Sequence, residues 1–478
     1  MKQTSKGKNM LKKAFATVLA ATVAVSAAGA LVACGDGGEE ENGFRMTYEL
    51  ACQMNNEKFG VNEAAIDSSN YYGLKWFEDG FIRMADPEKE DPKDRANYYN
   101  IVKNLTIEKH DLDEFGNELP TTREYNIYGM FQVPLDFDPA WLDNPGDREF
   151  PLAIECHGFN TNSNGYLSAH WANTWTEKGY ICYAFDFVGG APLGKYNYGR
   201  GVRSGPKELK ESEKGQVVDA EGNPIARPAE IPDVEGLWDE YGGGWMDMSV
   251  ATEVQDLHGV IDEVKKLDIV DEENICLMGQ SQGGVVCAVT AAERAAKADD
   301  EDEDCDIAGM VLIYPAFSFI TDMHYFFGQN LHGDAPESLN ADNYSLLLGT
   351  LDNEGRTLIM GANVGPRYIS QCYNWGQKQE TDLGVIKAGE YTMYHKIRAY
   401  KNSVLIVTGS TDTTVDTKWS FGAIYGNNSP YGRTQSTLTL VSDAEHAFDM
   451  MGSTPLKQKF MAYDALGNYL DRNNLSVK

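Results

Sequence analysis

The run Ile275-Cys-Leu-Met-Gly-Gln-Ser-Gln-Gly-Gly-Val-Val-Cys-Ala288 sets a serine in the frame Gly279-x-Ser281-x-Gly283, between a short apolar stretch and a longer one rich in small residues. A strand that enters a tight turn and leaves it as a helix is the context in which this frame makes a nucleophile elbow. The turn is strained, and its glycines remove the Cβ atoms that would collide around it. The serine oxygen is thereby lifted off the backbone to where a base can reach it. With 47 glycines in the chain, about 0.2 such pentapeptides arise by chance. The frame alone therefore decides little. A plain glycine turn is the competing reading, and partner residues must choose.

A serine hydroxyl is a weak nucleophile at neutral pH and needs a base, which in turn needs a group to orient it. Downstream, Val404 to Val407 reads as a buried strand that ends at Gly409, with Asp412 three residues beyond. Thr437 to Val441 reads as a second strand, followed closely by His446, the only histidine after Asp412. All three candidates thus fall just past the C-terminal ends of strands, where open α/β sheets place their sites. His446 would take the Ser281 proton during attack and return it to the leaving group. Asp412 would hold the imidazole in the correct tautomer and stabilise its cation. Asp416 is a rival for that role, one turn later and expected to point outward. Asp443 and Glu445 are too near His446 in sequence to face its ring easily and read as solvated surface.

These segments, together with Ile127-Tyr-Gly129, His157-Gly158-Phe159-Asn160, Ala184-Phe-Asp186-Phe, Met248-Ser-Val-Ala-Thr-Glu253 and Tyr314-Pro315, resemble the α/β-hydrolase superfamily. Within it they are most similar to bacterial cinnamoyl (feruloyl) esterases and to serine aminopeptidase-like hydrolases. The matching pieces span about residues 100 to 470. The resemblance implies a two-step acyl-enzyme mechanism with no cofactor. It also implies an oxyanion hole made by the backbone N–H groups of Phe159 and Gln282, with Gly279, Gly283, His157 and Gly158 shaping the elbow and its facing loop. The segments 191–244 and 316–400 read as insertions, and the second, aromatic-rich one reads as a lid over the nucleophile.

The chain opens with lysines, continues through an apolar stretch from Ala14 to Val32, and reaches Leu31-Val-Ala-Cys34. A basic start, a hydrophobic middle and a small residue before a cysteine read as a lipoprotein signal peptide over 1–33, with Cys34 lipidated. Residues 34–43 would be an acidic tether and 44–99 an extension of unassigned fold before a hydrolase domain over 100–478. The formal net charge is −31; five of the basic residues and no acidic one lie in 1–33, so the mature chain would carry −36. Such a surface repels nucleic acid. The cysteines show no metal-binding spacing, and no metal is expected.

Alternating strand and helix patterns argue for a mainly parallel sheet, here eight-stranded, with helices on both faces. Strands are expected near 101–109, 125–133, 150–156, 180–187, 274–279, 307–314, 403–408 and 436–441. Val250, Val254, Leu257, Ile261 and Val264 recur at helical spacing and mark a core-facing helix. The functional expectation is a serine hydrolase at the outer face of the cell membrane, held there through Cys34 only. Its substrate would be a small-molecule or oligosaccharide ester, with hydroxycinnamoyl or acetyl esters of plant polysaccharide as candidates. A serine peptidase of the aminopeptidase type and a non-catalytic binding lipoprotein are the alternatives.

Overall fold

The computed structural model describes residues 43–64, 78–84, 96–113, 118–159, 171–187, 249–301, 303–317, 357–359, 362–364, 400–427, 436–448 and 456–475. The chain divides into two units, Met1–Gly43 and Phe44–Lys478, and of the first only Gly43 is described. The expected signal peptide, Cys34, the 191–244 insertion and nearly all of 316–400 lie outside the described residues.

Among the described residues, nine strands form the main sheet in the order β1-β2-β5-β7-β6-β8-β9-β12-β13. They are β1 (Ile82–Arg83), β2 (Tyr98–Val102), β5 (Gly129–Pro134), β6 (Phe150–Cys156), β7 (Ile181–Phe185), β8 (Val270–Gln280), β9 (Ile307–Ile313), β12 (Ser403–Gly409) and β13 (Ser436–Val441). β1, β2, β5 and β7 pair antiparallel, and every pairing from β7 through β13 is parallel. Helices α1 (Tyr48–Phe59), α2 (Trp171–Glu177), α3 (Val250–Val264), α4 (Gln282–Glu301), α5 (Lys418–Asn427) and α6 (Leu456–Arg472) cover it. This is an α/β-hydrolase fold.

The central strands are apolar on both sides, as burial between two helix layers requires. Ile154, Leu277, Leu312 and Ile406 point into one core with the apolar faces of α3 and α4. Their neighbours Ala153, Cys276, Val311 and Leu405 point into the other, beneath Trp171 and Trp175 of α2 and Leu466 of α6. Cys156, Cys182, Cys276 and Cys287 are buried in these layers.

Two expected strands divide. The 101–109 segment breaks after Val102: Lys103 N–H donates to the Gly129 carbonyl, and Asp79 accepts from both nitrogens of Asn104. β3 (Leu105–Leu112) then leaves the sheet and pairs only with β4 (Glu118–Ile127), itself the split-off part of the 125–133 segment. The reason is side-chain periodicity. β2 is buried at every position, whereas along β3 Leu105 and Ile107 are buried and Thr106 and Glu108 exposed. A strand with one apolar face belongs on a helix layer, and β3 lies over α3. The sheet also gains a ninth strand, β1, from the 44–99 extension, where the Asn55 side chain of α1 brackets Ile82 by donating to its carbonyl at 2.8 Å and accepting from its N–H at 2.9 Å. β10 (Thr357–Ile359) and β11 (Ala362–Val364) form a separate hairpin.

One ion pair stitches the β3–β4 hairpin to α3. Lys109 Nζ donates to Asp256 Oδ1 at 2.6 Å, with side-chain exposures of 7% and 0%. Removing one partner of such a pair strands a charge in the interior. Lys109→Met should therefore lower unfolding free energy by about 3–5 kcal/mol, read as a drop in the urea midpoint at constant m-value. The double variant Lys109→Met/Asp256→Leu should recover most of the loss, and a wild-type midpoint for the single variant would contradict the assignment.

Candidate active site

Three strand ends supply the candidate residues. β8 stops at Gln280, and Ser281 takes a left-handed backbone with φ 50° before α4 begins at Gln282. That conformation costs a non-glycine residue free energy, so its surroundings must impose it. They do so by hydrogen bonding: Ser281 N–H donates to the Ile313 carbonyl at 2.9 Å, and its own carbonyl accepts from Gly284 and Ala316 at 3.1 and 2.9 Å. They also do so by proximity. A Cβ on Gly279 would overlap the Gly283 carbonyl, and one on Gly283 would overlap the carbonyls of Cys156 and His157. Only glycine at both positions lets strand, turn and helix close to this distance.

The Ser281 hydroxyl donates to His446 Nε2 at 3.0 Å, and His446 Nδ1 donates to Asp412 Oδ2 at 2.8 Å. Facing a carboxylate, Nδ1 must carry the ring proton, which leaves Nε2 as the acceptor. Asp412 is fixed in turn: its Oδ1 accepts from the Thr414 and Val415 N–H groups at 2.9 and 2.8 Å, and its side chain is fully buried. The imidazole is 14% exposed, open enough for solvent or substrate to meet it. The arrangement can pass a proton from Ser281 to His446 while Asp412 balances the resulting cation.

Asp416 lies elsewhere. It accepts from Lys418 N–H at 2.9 Å, capping the start of α5. Glu445 lies at the surface, as expected. Though exposed, its Oε2 accepts from both the N–H and the hydroxyl of Thr413, at 3.2 and 3.0 Å, and so ties the Asp412 loop to the His446 loop. Asp443 is exposed, and its N–H donates to Ser410 Oγ across the same two loops. Tyr314 was not singled out from sequence for this site. Its ring centroid stands 4.8 Å from that of His446, braced edge-on by Phe448.

The His157 loop faces the elbow. An added Cβ on Gly158 would sit 3.2 Å from the Gln280 carbonyl oxygen and from Ser281 Cβ. Phe159 follows, half-buried against the α3–α4 core. Gln282 opens α4, so its N–H belongs to the first turn, where the helix itself offers no acceptor. His157 is buried and bonded at both ring nitrogens: Nδ1 to the Gly158 carbonyl at 2.9 Å, Nε2 from Phe187 N–H at 3.2 Å. Burial lowers its pKa to about 4, the Gly158 bond pulling weakly the other way. A neutral ring so engaged fixes the loop between the ends of β6 and β7.

No protein-family model matches the chain, and no curated protein matches it. Among solved structures, it is similar to Est1E from Butyrivibrio proteoclasticus, at 16% identity and a TM-score of 0.42, over 78% of this chain and 98% of that one. It is also similar to an esterase domain from a Rhodothermus marinus protein, at 12% and 0.38, over 78% and 98%. A third is the monoacylglycerol lipase of Paleococcus ferrophilus, at 14% and 0.36, over 68% and 97%.

Two residues before His157, Glu155 is wholly buried on β6, and burial raises its carboxyl pKa to about 8, the Cys182 thiol opposing weakly. The folded state therefore holds a proton that the unfolded chain, near the ordinary glutamate value of 4.5, releases. The stability tied to that proton is complete at low pH and is lost as pH rises from 4.5 to about 8. Glu155→Gln has no proton to lose. Its stability relative to wild type should climb across that window by about 1 kcal/mol per pH unit, as urea unfolding at pH 5, 6.5 and 8 would measure. Parallel curves would show that Glu155 is ionised in the native state.

Proposed function

We propose that this chain is a serine hydrolase that cleaves carboxylic esters through an acyl-enzyme intermediate. The observation that carries the proposal is the continuous hydrogen-bonded path Ser281–His446–Asp412, built from three separate strand ends around a serine held in a strained turn. In this reading Ser281 Oγ attacks the ester carbonyl as His446 Nε2 takes its proton. The tetrahedral oxyanion accepts from the N–H groups of Gln282 and Phe159, each such donor contributing about 3 kcal/mol of transition-state stabilisation. Collapse expels the alcohol, protonated by His446. Water then repeats the sequence on the acyl-enzyme and regenerates Ser281.

The wider setting belongs to the same proposal. A signal peptide over 1–33 would export the enzyme, and lipid on Cys34 would anchor it to the outer face of the membrane; the chain's strong negative charge favours uncharged or cationic substrates over polyanions. Esters of plant polysaccharide, with hydroxycinnamoyl or acetyl acyl groups, fit that location.

A panel of aryl esters and aminoacyl anilides tests the activity on wild type and Ser281→Ala. Wild type should hydrolyse esters in preference to anilides and be labelled once by a fluorophosphonate. Ser281→Ala should lose the label and at least about 10⁴-fold in kcat, with His446→Ala adding little on top of it. Preference for anilides would make the chain a peptidase, and a wild type that neither labels nor turns over would make it a binding protein. For the anchor, Cys34→Ser should move the chain from the membrane fraction to the soluble one.

A further inference from the structure

The side chain of Gln282 reaches the first turn of α3. There its Nε2 donates to Glu253 Oε2 at 2.5 Å, and both side chains are buried. Glu253 stands in the first turn of α3, directly after a capping box in which Ser249 Oγ accepts from Thr252 N–H and Thr252 Oγ1 accepts from Ser249 N–H. Its backbone is thus held at the helix entrance. One turn on, Asp256 takes the charge of Lys109. Burial pushes the Glu253 carboxyl well above the usual carboxylate range, the Gln282 amide and Lys109 opposing and Asp256 adding to it.

We propose that Glu253 is a positioning residue for the oxyanion site: by holding the Gln282 side chain, it fixes the first turn of α4 and so the direction of the Gln282 N–H. The inference rests on the hydrolase reading above and deepens it. The physical link runs through one Cα. A side chain anchored at its amide restrains the φ of its own residue, and that torsion, with the ψ of Ser281, sets where the N–H points. Rotating the side chain away would leave a buried amide donor without an acceptor, which is unfavourable. Glu253 itself touches no substrate.

Three variants test this: Glu253→Gln, Glu253→Leu and, as a control for core damage, Val254→Ala on the same helix. A neutral carboxamide offers Gln282 the same acceptor, so Glu253→Gln should keep kcat within a few-fold of wild type. Glu253→Leu should lose about 100-fold in kcat, as a misaimed oxyanion donor does, with KM moved less than about threefold. Its elbow peptide, residues 279–289, should also exchange amide hydrogens faster than in Val254→Ala of matched stability. An equal loss in Val254→Ala, a loss confined to KM, or a Glu253→Gln variant as poor as Glu253→Leu would each overturn the proposal. If wild type hydrolyses no ester and takes no fluorophosphonate label, the hydrolase reading falls, and elbow exchange alone decides whether Glu253 holds Gln282: equal exchange in Glu253→Leu and wild type would refute it.

Discussion

At Ser281 the chain must pass from a central parallel strand to a helix packed on that same strand, within one residue. Everything at the site follows from how tightly this is done. The φ of 50° is affordable because the Ile313 carbonyl, the Gly284 and Ala316 N–H groups and the closeness of Gly283 to the Cys156 and His157 carbonyls over-determine it. The same closeness brings the His157 loop against the elbow and sets Gln282 at the first position of α4. The Ser281 turn, the facing His157 loop and the start of α4 are therefore one unit.

Asp412 and His446 come from the far edge of the sheet, after two neighbouring parallel strands whose loops leave in the same direction. Parallel pairing of β12 with β13 puts Gly409 beside Val441, so the loops that follow start side by side. They are then laced together: Thr413 to Glu445, Ser410 to Asp443, Thr411 N–H to the Ala444 carbonyl. The hydrogen bond between His446 and Asp412 is one more rung of this lacing, and Tyr314 from the next strand over supports the ring from the side.

Ionisable groups in the interior are handled in three ways. Lys109 and Asp256 pair with opposite charge; Glu155 is driven toward its neutral acid by burial; His157 is kept as a neutral ring by burial and spends both nitrogens on backbone groups. Each solution avoids an unpaired charge, which an apolar layer tolerates least. Glu155 and His157 lie at the end of β6, and the Lys109–Asp256 pair joins β3 to α3.

Local pattern sufficed where the physics is local. The positions of Ser281 and Asp412 were legible because each follows an apolar run that reads as a buried strand, that of His446 because it follows an alternating strand, and the ends of parallel strands share one edge. The α3 stripe was legible because helical spacing repeats every turn. What sequence pattern could not reveal is where a one-sided strand goes: the alternation along Leu105 to Leu112 shows that one face is polar, but only the finished α3 layer provides the apolar surface that draws β3 and β4 out of the sheet. Glu253 carried a faint signal, a carboxylate set among Val250, Val254 and Leu257 on a buried face. Its partner, Gln282, lies 29 residues away, and Lys109 meets Asp256 across 147. The sequence by itself determined which residues could do chemistry and at which strand ends they sit, because hydrophobic period and turn chemistry act over a few residues. Tertiary structure alone decided which polar side chains meet in the interior, because hydrogen bonds and ion pairs depend on distances that only packing sets.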